Sequence, residues 1–509
     1  MSKPVRRRGW APLLFAVTIM GALASCDRTT TSDTKPDAAV ALIAPVPTVP
    51  VVAWEPAAKD EAIAAGRAVI EKHECTRCHT IDDLPAASRP RGCTSCHLFL
   101  KGLAPEDKAR KAIADKYGEP IIARYQRNIV HLREVPNLTK IARRVRPAFI
   151  RDFLGEPFDV RPMLEESMIR HHLSPADIHA VVRYFAARGE AADPYAESAP
   201  ESPLPAPPAE RIEAGRRIFT SKGCATCHTF GNVATGVTAA RLREGGMPAA
   251  LAPNLRFAKD RVRREAIVPW ILSPQSISPG TVMPPLGLTL AEAETVRDFL
   301  LFADPLLKPV PPPLEPTVPA LLTRPVPYAE VKERVLGKVC VHCHMNDYEK
   351  DPGPGNRGGL GYDGIRFSMR TYETLVAGAS DAKGARYSVL VPRPGETVPP
   401  ILKAMLRRRV EEQRDRVPAF EDHVRPSYPK TDPGMPLGLP SMTDEELAIL
   451  ATWIANGCAG PTAVTGMPGI DDGFLVPDGP AAKNQGCELR AVPAVRPAWA
   501  VDAKDAGVK

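Results

Sequence analysis

The chain is predicted to be mainly α-helical, with three tandem helical modules joined by proline-rich linkers and an insertion enlarging the first. Four observations predict this. A capping-box helix start occurs three times, as Ser174-x-x-Asp177, Thr289-x-x-Glu292 and Thr443-x-x-Glu446. Each cap is followed ten residues later by a large aromatic: Tyr184, Phe299 and Trp453. The pentapeptide Cys-x-x-Cys-His occurs four times, at Cys75–His79, Cys93–His97, Cys224–His228 and Cys340–His344. Finally, 56 prolines stand against only 14 Phe, 5 Trp and 10 Tyr, and they cluster at 191–210 and 305–327. That composition suits small domains on semi-rigid spacers that leave their relative geometry open. A length of 509 residues is too great for one core, and 44% hydrophobic content allows cores of ordinary size.

The central module, 211–304, is the best defined. Its Cys224-Ala-Thr-Cys227-His228 is the signature that attaches a c-type haem. Two thiols one helical turn apart add across two vinyl groups of one porphyrin, and the next residue offers an imidazole to the iron. Met283, in Thr281-Val-Met-Pro-Pro285, can supply a thioether to the opposite face. His/Met ligation closes both faces and favours electron transfer over substrate binding. A zinc pair or a thioredoxin-like pair leaves the Met-Pro and the helical frame unexplained. Gly215 and Phe219 lie four apart and share a helix face. With these features the stretch from Gly215 to Phe302 resembles the class I cytochrome c domain. The resemblance implies that this face packs on Phe299. It also implies that Pro253, in Pro253-Asn254-Leu255, accepts a hydrogen bond from the proximal His228 through its carbonyl.

The first module, 60–190, repeats that frame. Gly66 precedes Cys75 by nine residues, as Gly215 precedes Cys224, and Pro136-Asn137-Leu138 echoes Pro253-Asn254-Leu255. Met168 falls six residues before Ser174, as Met283 falls six before Thr289, and is the expected distal ligand opposite His79; Met163 competes. The insertion between His79 and Pro136 brings Cys93, Cys96 and His97, and hence a second haem, with a helix expected near 119–133. This haem has no class I frame of its own. His131 is the candidate for its distal position, against a helix-end role; His73 is the runner-up, and His171, His172 and His179 read as solvated. With none of them bound, this haem is five-coordinate and open to small ligands.

The third module, 328–460, has Val331 where the others have glycine, on an expected helix with Val335. Tyr372-Glu-Thr-Leu375, Gly378, Val391-Pro392, Met435-Pro436 and Trp453-Ile-Ala-Asn-Gly457 resemble the larger cytochrome c modules common in planctomycetes and delta-proteobacteria. By that resemblance Met435 is the distal ligand opposite His344, with Met345 and Met369 as alternatives. His342, inside the pentapeptide, reads as a bystander pointing away from that iron.

Residues 1–25 read as a secretory signal with a basic start and an apolar run shorter than a membrane span requires. Leu23-Ala-Ser-Cys26 looks like a bacterial lipoprotein cleavage box, which implies lipidation of Cys26 and a lipid anchor. Residues 26–59 then form a tether, and 461–509 an irregular tail. Cys458 and Cys487 are the cysteines left over, and a disulfide between them suits an extracytoplasmic compartment. The net charge of +7 falls to +3 once Lys3, Arg6, Arg7 and Arg8 are removed with the signal, so the basic balance does not point to nucleic acid.

These features lead to one expectation: a lipid-anchored tetrahaem c-type cytochrome on the periplasmic side of a bacterial membrane. Four covalent haems are held by Cys75, Cys78, Cys93, Cys96, Cys224, Cys227, Cys340 and Cys343. It is expected to pass single electrons between other redox proteins, or within a respiratory complex as one of its subunits, and not to act as an enzyme. The alternative is a peroxidase or a reductase of small nitrogen compounds using an open second haem.

Overall fold

A computed structural model describes residues 47–89, 91–164, 166–171, 173–196, 204–234, 244–307, 316–345, 359–362, 364–381, 383–415 and 434–460. The signal segment, Cys26, His172, Cys487 and the tail after Gly460 lie outside the described residues. Among the described residues the chain is mainly helical. In order come α1 (Pro56–Lys72), α2 (Cys93–Gly102), α3 (Lys108–Tyr117), α4 (Glu119–Asn128), α5 (Pro147–Gly155) and α6 (Pro175–Arg188). Then follow α7 (Ala209–Ser221), α8 (Arg264–Leu272) and α9 (Leu290–Phe302), and finally α10 (Tyr328–Val331), α11 (Tyr372–Val376), α12 (Pro400–Asp415) and α13 (Asp444–Ala455). Shorter turns join them. A two-residue antiparallel pair, β1 (Ala379–Ser380) with β2 (Arg386–Tyr387), faces Ala379 to Tyr387 and Ser380 to Arg386.

All three expected capping boxes form: Ser174, Thr289 and Thr443 each accept a hydrogen bond from the backbone of the residue three on, at the starts of α6, α9 and α13. A fourth box, Thr371 with Thr374, opens α11. It has a hydroxyl where the usual pattern has Glu or Gln, so it carries no signal of that kind.

The glycine frame has a steric cause. A Cβ on Gly66 of α1 would stand 2.3 Å from Tyr184 Cβ and 2.6 Å from the Ala180 carbonyl of α6. On Gly215 of α7 it would stand 2.4 Å from the Thr295 carbonyl and 2.6 Å from Phe299 Cβ of α9. These helix pairs therefore cross closer than any side chain at those positions permits. Around the second crossing, Phe219 and Phe230 pack on Phe299 at ring separations of 5.6 and 4.7 Å, all three buried.

Val331 allows no such approach, and the third element departs from expectation. After α10 the helix widens into π winding over Lys332–Cys340. A π turn takes up an extra residue relative to α winding, which rotates whatever follows it. Val331, Val335 and Leu336 are buried beside Tyr328 and Trp453. The buried Lys332 ammonium donates to the carbonyls of Met369 (2.9 Å) and Arg370.

The buried apolar residues fall into three main cores. One gathers Ile70, Phe149, Phe158, Val182 and Tyr184; the next Phe219, Ile267, Val296 and Phe299; the last Val335, Leu390, Leu402 and Trp453. A small fourth cluster (Cys96, Leu100, Ile121, Tyr125 and Ile129) is the core of the insertion.

The cores are not left free to take any relative position, contrary to the expectation drawn from the proline linkers. Between the first and central cores, Val145 and Val262 form a β-bridge. It is flanked by hydrogen bonds from Arg146 N–H to the Arg261 carbonyl (2.8 Å) and from Arg263 N–H to the Arg144 carbonyl (2.9 Å). Between the first and third, Ser167 N–H donates to the Gly438 carbonyl at 2.7 Å, and Arg124 and Arg127 of α4 face Glu333. Backbone bonds of this kind define one register, which linker composition cannot reveal. No helix among the described residues is long and apolar enough to cross a membrane.

Candidate cofactor-binding sites

Each pentapeptide folds back so that its histidine N–H reaches the carbonyl of its first cysteine or of a nearby residue. In the first and central copies the helix ends, one residue takes a left-handed conformation, and a tight 3-10 turn carries the cysteines. Gly223 takes that conformation (φ 83°) before Cys224, and Glu74 takes it (φ 52°) before Cys75. Glycine bears it without strain, whereas Glu74 is held by ion pairs to Arg77 (3.1 Å) and Arg91. His79 N–H and His228 N–H close the turns onto the carbonyls of Cys75 (3.0 Å) and Cys224 (2.9 Å). The second copy differs, since Cys93 starts α2 and the helix runs on through His97.

Three of the four histidines are oriented alike. His79 Nδ1 donates to the Pro136 carbonyl at 2.9 Å and His228 Nδ1 to the Pro253 carbonyl at 2.8 Å. His97 Nδ1 donates to the carbonyl of His131 at 2.8 Å. A proton committed on Nδ1 leaves Nε2 with its lone pair, which is the state a metal requires. Burial pushes all three imidazoles below the usual histidine range and keeps them neutral. One segment, 131–136, thereby clamps two of these rings.

His344 is held by shape. Its ring lies against Gly361, where a Cβ would come within 2.9–3.1 Å of Cε1, Nδ1 and Nε2, and it faces Phe367 at 5.4 Å. Its Nδ1 closes no aligned hydrogen bond, although the Gly361 and Phe367 backbones lie beside it. Burial brings this imidazole down to about 4.

The thiols are largely withheld from ionisation. Burial pushes Cys75 and Cys224 up to about 11 and Cys340 up to about 12. Cys78 and Cys93 hydrogen-bond each other, so Cys93 ionises more readily and Cys78 far less, with Arg77 helping to stabilise the charge. Cys343 interacts with both. Three of the four pentapeptides, the last of them far from the other two in sequence, therefore meet around Arg77, while the central one stands elsewhere.

Beside this meeting point lies a cavity that is partly open to solvent. Cys93, Cys96 and His97 line it, with apolar Leu100, Ile129 and Val341 and cationic Arg77, Arg124 and Lys338. Two thiols, an oriented imidazole and an apolar wall fit a covalently held haem.

The expected distal ligands fare unequally. Met168, Met283 and Met435 are each partly exposed and lie in loops outside the cores. Gly438, in the loop of Met435, packs on Ser167 and Ile169, which flank Met168, so those two loops meet. Met369 is buried in the third core and Met345 is 2% exposed. His131 does not occupy the position expected of it. Its carbonyl binds Nδ1 of His97, on the far side of the ring from Nε2, and its own Nδ1 is turned to Glu166 at 3.4 Å. A residue standing behind the proximal ring cannot also reach across a porphyrin. His73 is not among the cavity's lining residues and lies 3.5 Å from Asp177. His171 faces His73 edge-on at 6.3 Å and His179 packs on Tyr195 at 4.0 Å, so both are more engaged than solvated positions. Cys458 is disulfide-bonded, and Cys487, its expected partner, lies outside the described residues.

Comparison of the chain with protein-family models, with curated proteins and with solved structures finds no match.

Proposed function

We propose that this chain is a tetrahaem c-type cytochrome, built from three tandem cytochrome c-like modules, that passes single electrons between partners outside the cytoplasm. One observation carries the reading: each of His79, His97 and His228 stands beside its cysteine pair with Nδ1 donated to a backbone carbonyl and Nε2 left to bind a metal. The cradle of Gly361 around His344 and the cavity beside His97 fit the same cofactor.

Bound haem supplies reversible one-electron chemistry at iron. The chain's own part is to hold and tune. The thiols of Cys75/Cys78, Cys93/Cys96, Cys224/Cys227 and Cys340/Cys343 anchor, and the four histidines ligate. Met168, Met283 and Met435 are the distal donors proposed for the first, third and fourth sites. The carbonyls of Pro136, His131 and Pro253 orient the rings and raise their basicity. The meeting of Cys78, Cys93 and Cys343 holds three sites close together, as transfer between them needs. Partners are other redox proteins or subunits of a respiratory complex, and attachment is through lipidated Cys26 on the periplasmic side of a bacterial membrane. Contacts for such transfer are small and weak.

The test is haem content of the purified chain by its pyridine complex, followed by carbon monoxide uptake of the reduced protein. Four covalent haems and no uptake are expected of a carrier. A chain without covalent haem ends the proposal, and uptake by a site that depends on Cys93 and Cys96 turns it toward an enzyme.

A further inference from the structure

The cavity at His97 is walled mainly by two parts of the chain. The insertion contributes Cys93, Cys96, His97 and Tyr125, and the fourth pentapeptide contributes Val341 and His342. Few lining groups could bind iron opposite His97. His131 stands behind the proximal ring, and the Lys338 ammonium is paired with Glu446. No methionine is among the lining residues; Ile169 reaches the cavity, whereas its neighbour Met168 does not. His342 is the imidazole left on this wall.

Its direction follows from backbone geometry. At 3.6 residues per turn, residues two apart on a helical turn are rotated by about 200° and so point nearly opposite ways. Cys340–Cys343 is helical, and His344 packs into the third core against Gly361 and Phe367. His342 consequently leaves on the other side. It meets Tyr125 of α4 edge-on, with ring centroids 5.3 Å apart and planes at 85°. An aromatic edge against the imidazole limits how the ring can rotate.

We infer that His342 is the sixth ligand of the haem held by Cys93, Cys96 and His97, so that this haem is ligated by two histidines from distant parts of the chain. The inference rests on the tetrahaem reading and deepens it. A haem closed in this way has no position for a small ligand, which removes the site an enzyme would use. Its potential lies below those of the methionine-ligated haems, because a thioether ligand raises the potential and an imidazole does not. The peptide bond between His342 and Cys343 also ties this iron directly to the macrocycle of the fourth site. The second haem would thus depend on the third core being docked.

The experiment uses the full holoprotein. The haem count comes first: without four covalent haems, the reading and the inference fall together. With four present, electron paramagnetic resonance and carbon monoxide uptake are compared for wild type, His342→Ala and His342→Met. Wild type is expected to be low-spin throughout and inert to the gas. His342→Ala is expected to convert one haem to high spin and to bind about one carbon monoxide per chain. Added imidazole should reverse both changes, and removing Cys93 and Cys96 should abolish the uptake. If His342→Ala does not accumulate, His342→Met decides. It is expected to raise the lowest haem potential and to strengthen the weak red-region absorption of methionine-ligated ferric haem. Uptake by wild type at the second haem overturns the inference while leaving four haems in place. So does an unchanged spin state in His342→Ala, or an unchanged titration and spectrum in His342→Met.

Discussion

The central pentapeptide and the second one share a chemical motif and differ in what surrounds it. Around Cys224 the main parts come from one stretch of 88 residues, Gly215 to Phe302. That stretch holds the α7–α9 crossing at Gly215, the turn opened by Gly223, the Pro253 carbonyl and the capped final helix. Around Cys93 almost nothing is self-contained. The insertion has a core of a few residues, its histidine is oriented by a loop that also serves His79, and part of the cavity wall comes from the third module. A site that completes its own surroundings can be read along the chain, and one that borrows them cannot.

The largest break in this comparison is Phe299→Ala. Removing a fully buried aromatic that touches both Phe219 and Phe230 is expected to cost about 3–5 kcal/mol. Hydrogen exchange should rise sharply in α7 and α9 and hardly at all in α2–α4. Equal loosening of α2–α4 would mean that the central core is not self-contained.

Glu333→Ala probes the borrowed site. Glu333 faces Arg124, which is buried, and Arg127, which is exposed. Losing this bridge between the insertion and the third core is expected to cost roughly 1–2 kcal/mol, below the 3–5 of a fully buried pair because Glu333 is about a third exposed. Exchange should rise in α4 and around Gly337 while α7 and α9 stay protected. If α4 stays protected as well, the second site does not depend on that contact.

The smallest effect sharpens the frame that the two main modules share. Ser174→Ala removes the cap of α6 and is expected to cost about 1 kcal/mol in chemical denaturation, as Thr289→Ala should for α9. The Ser174 hydroxyl and backbone, with Lys72, hold the Asp177 carboxyl down at about 2. A depressed acid stabilises the fold above its unfolded value and loses that contribution as pH falls through the folded one. The difference between wild type and Asp177→Asn should therefore be complete above about pH 4 and vanish only below about pH 2. A difference that persists at the lowest pH would show that the carboxylate charge is not what matters.

Much of the fold was legible because its causes are close in sequence. Gly66 and Gly215 mark helix crossings, Ser174, Thr289 and Thr443 mark helix starts, and Pro136 and Pro253 follow their histidines at readable positions. Even so, the chain misleads at three points. His131 looks like a ligand on a helix end, whereas its backbone carbonyl is the part that acts. The prolines around 191–210 and 305–327 suggest open geometry, yet the bridge at Val145–Val262 and the bond from Ser167 to Gly438 define it. Val331, in a glycine's place, signals a departure without saying that π winding follows. Each miss concerns a backbone group or a docking contact, and neither leaves a residue pattern.

By itself, the sequence determined the number and kind of candidate sites. Thiol pair and imidazole must be adjacent to serve one macrocycle, so they appear as a contiguous motif, and helix periodicity and caps likewise act over a few residues. Tertiary structure alone decided which sites are neighbours and what faces each open position. Those relations link residues some 250 apart, such as His97 and His342. They depend on how packed surfaces dock and on which way a wound helix turns its side chains, and no local spacing records either.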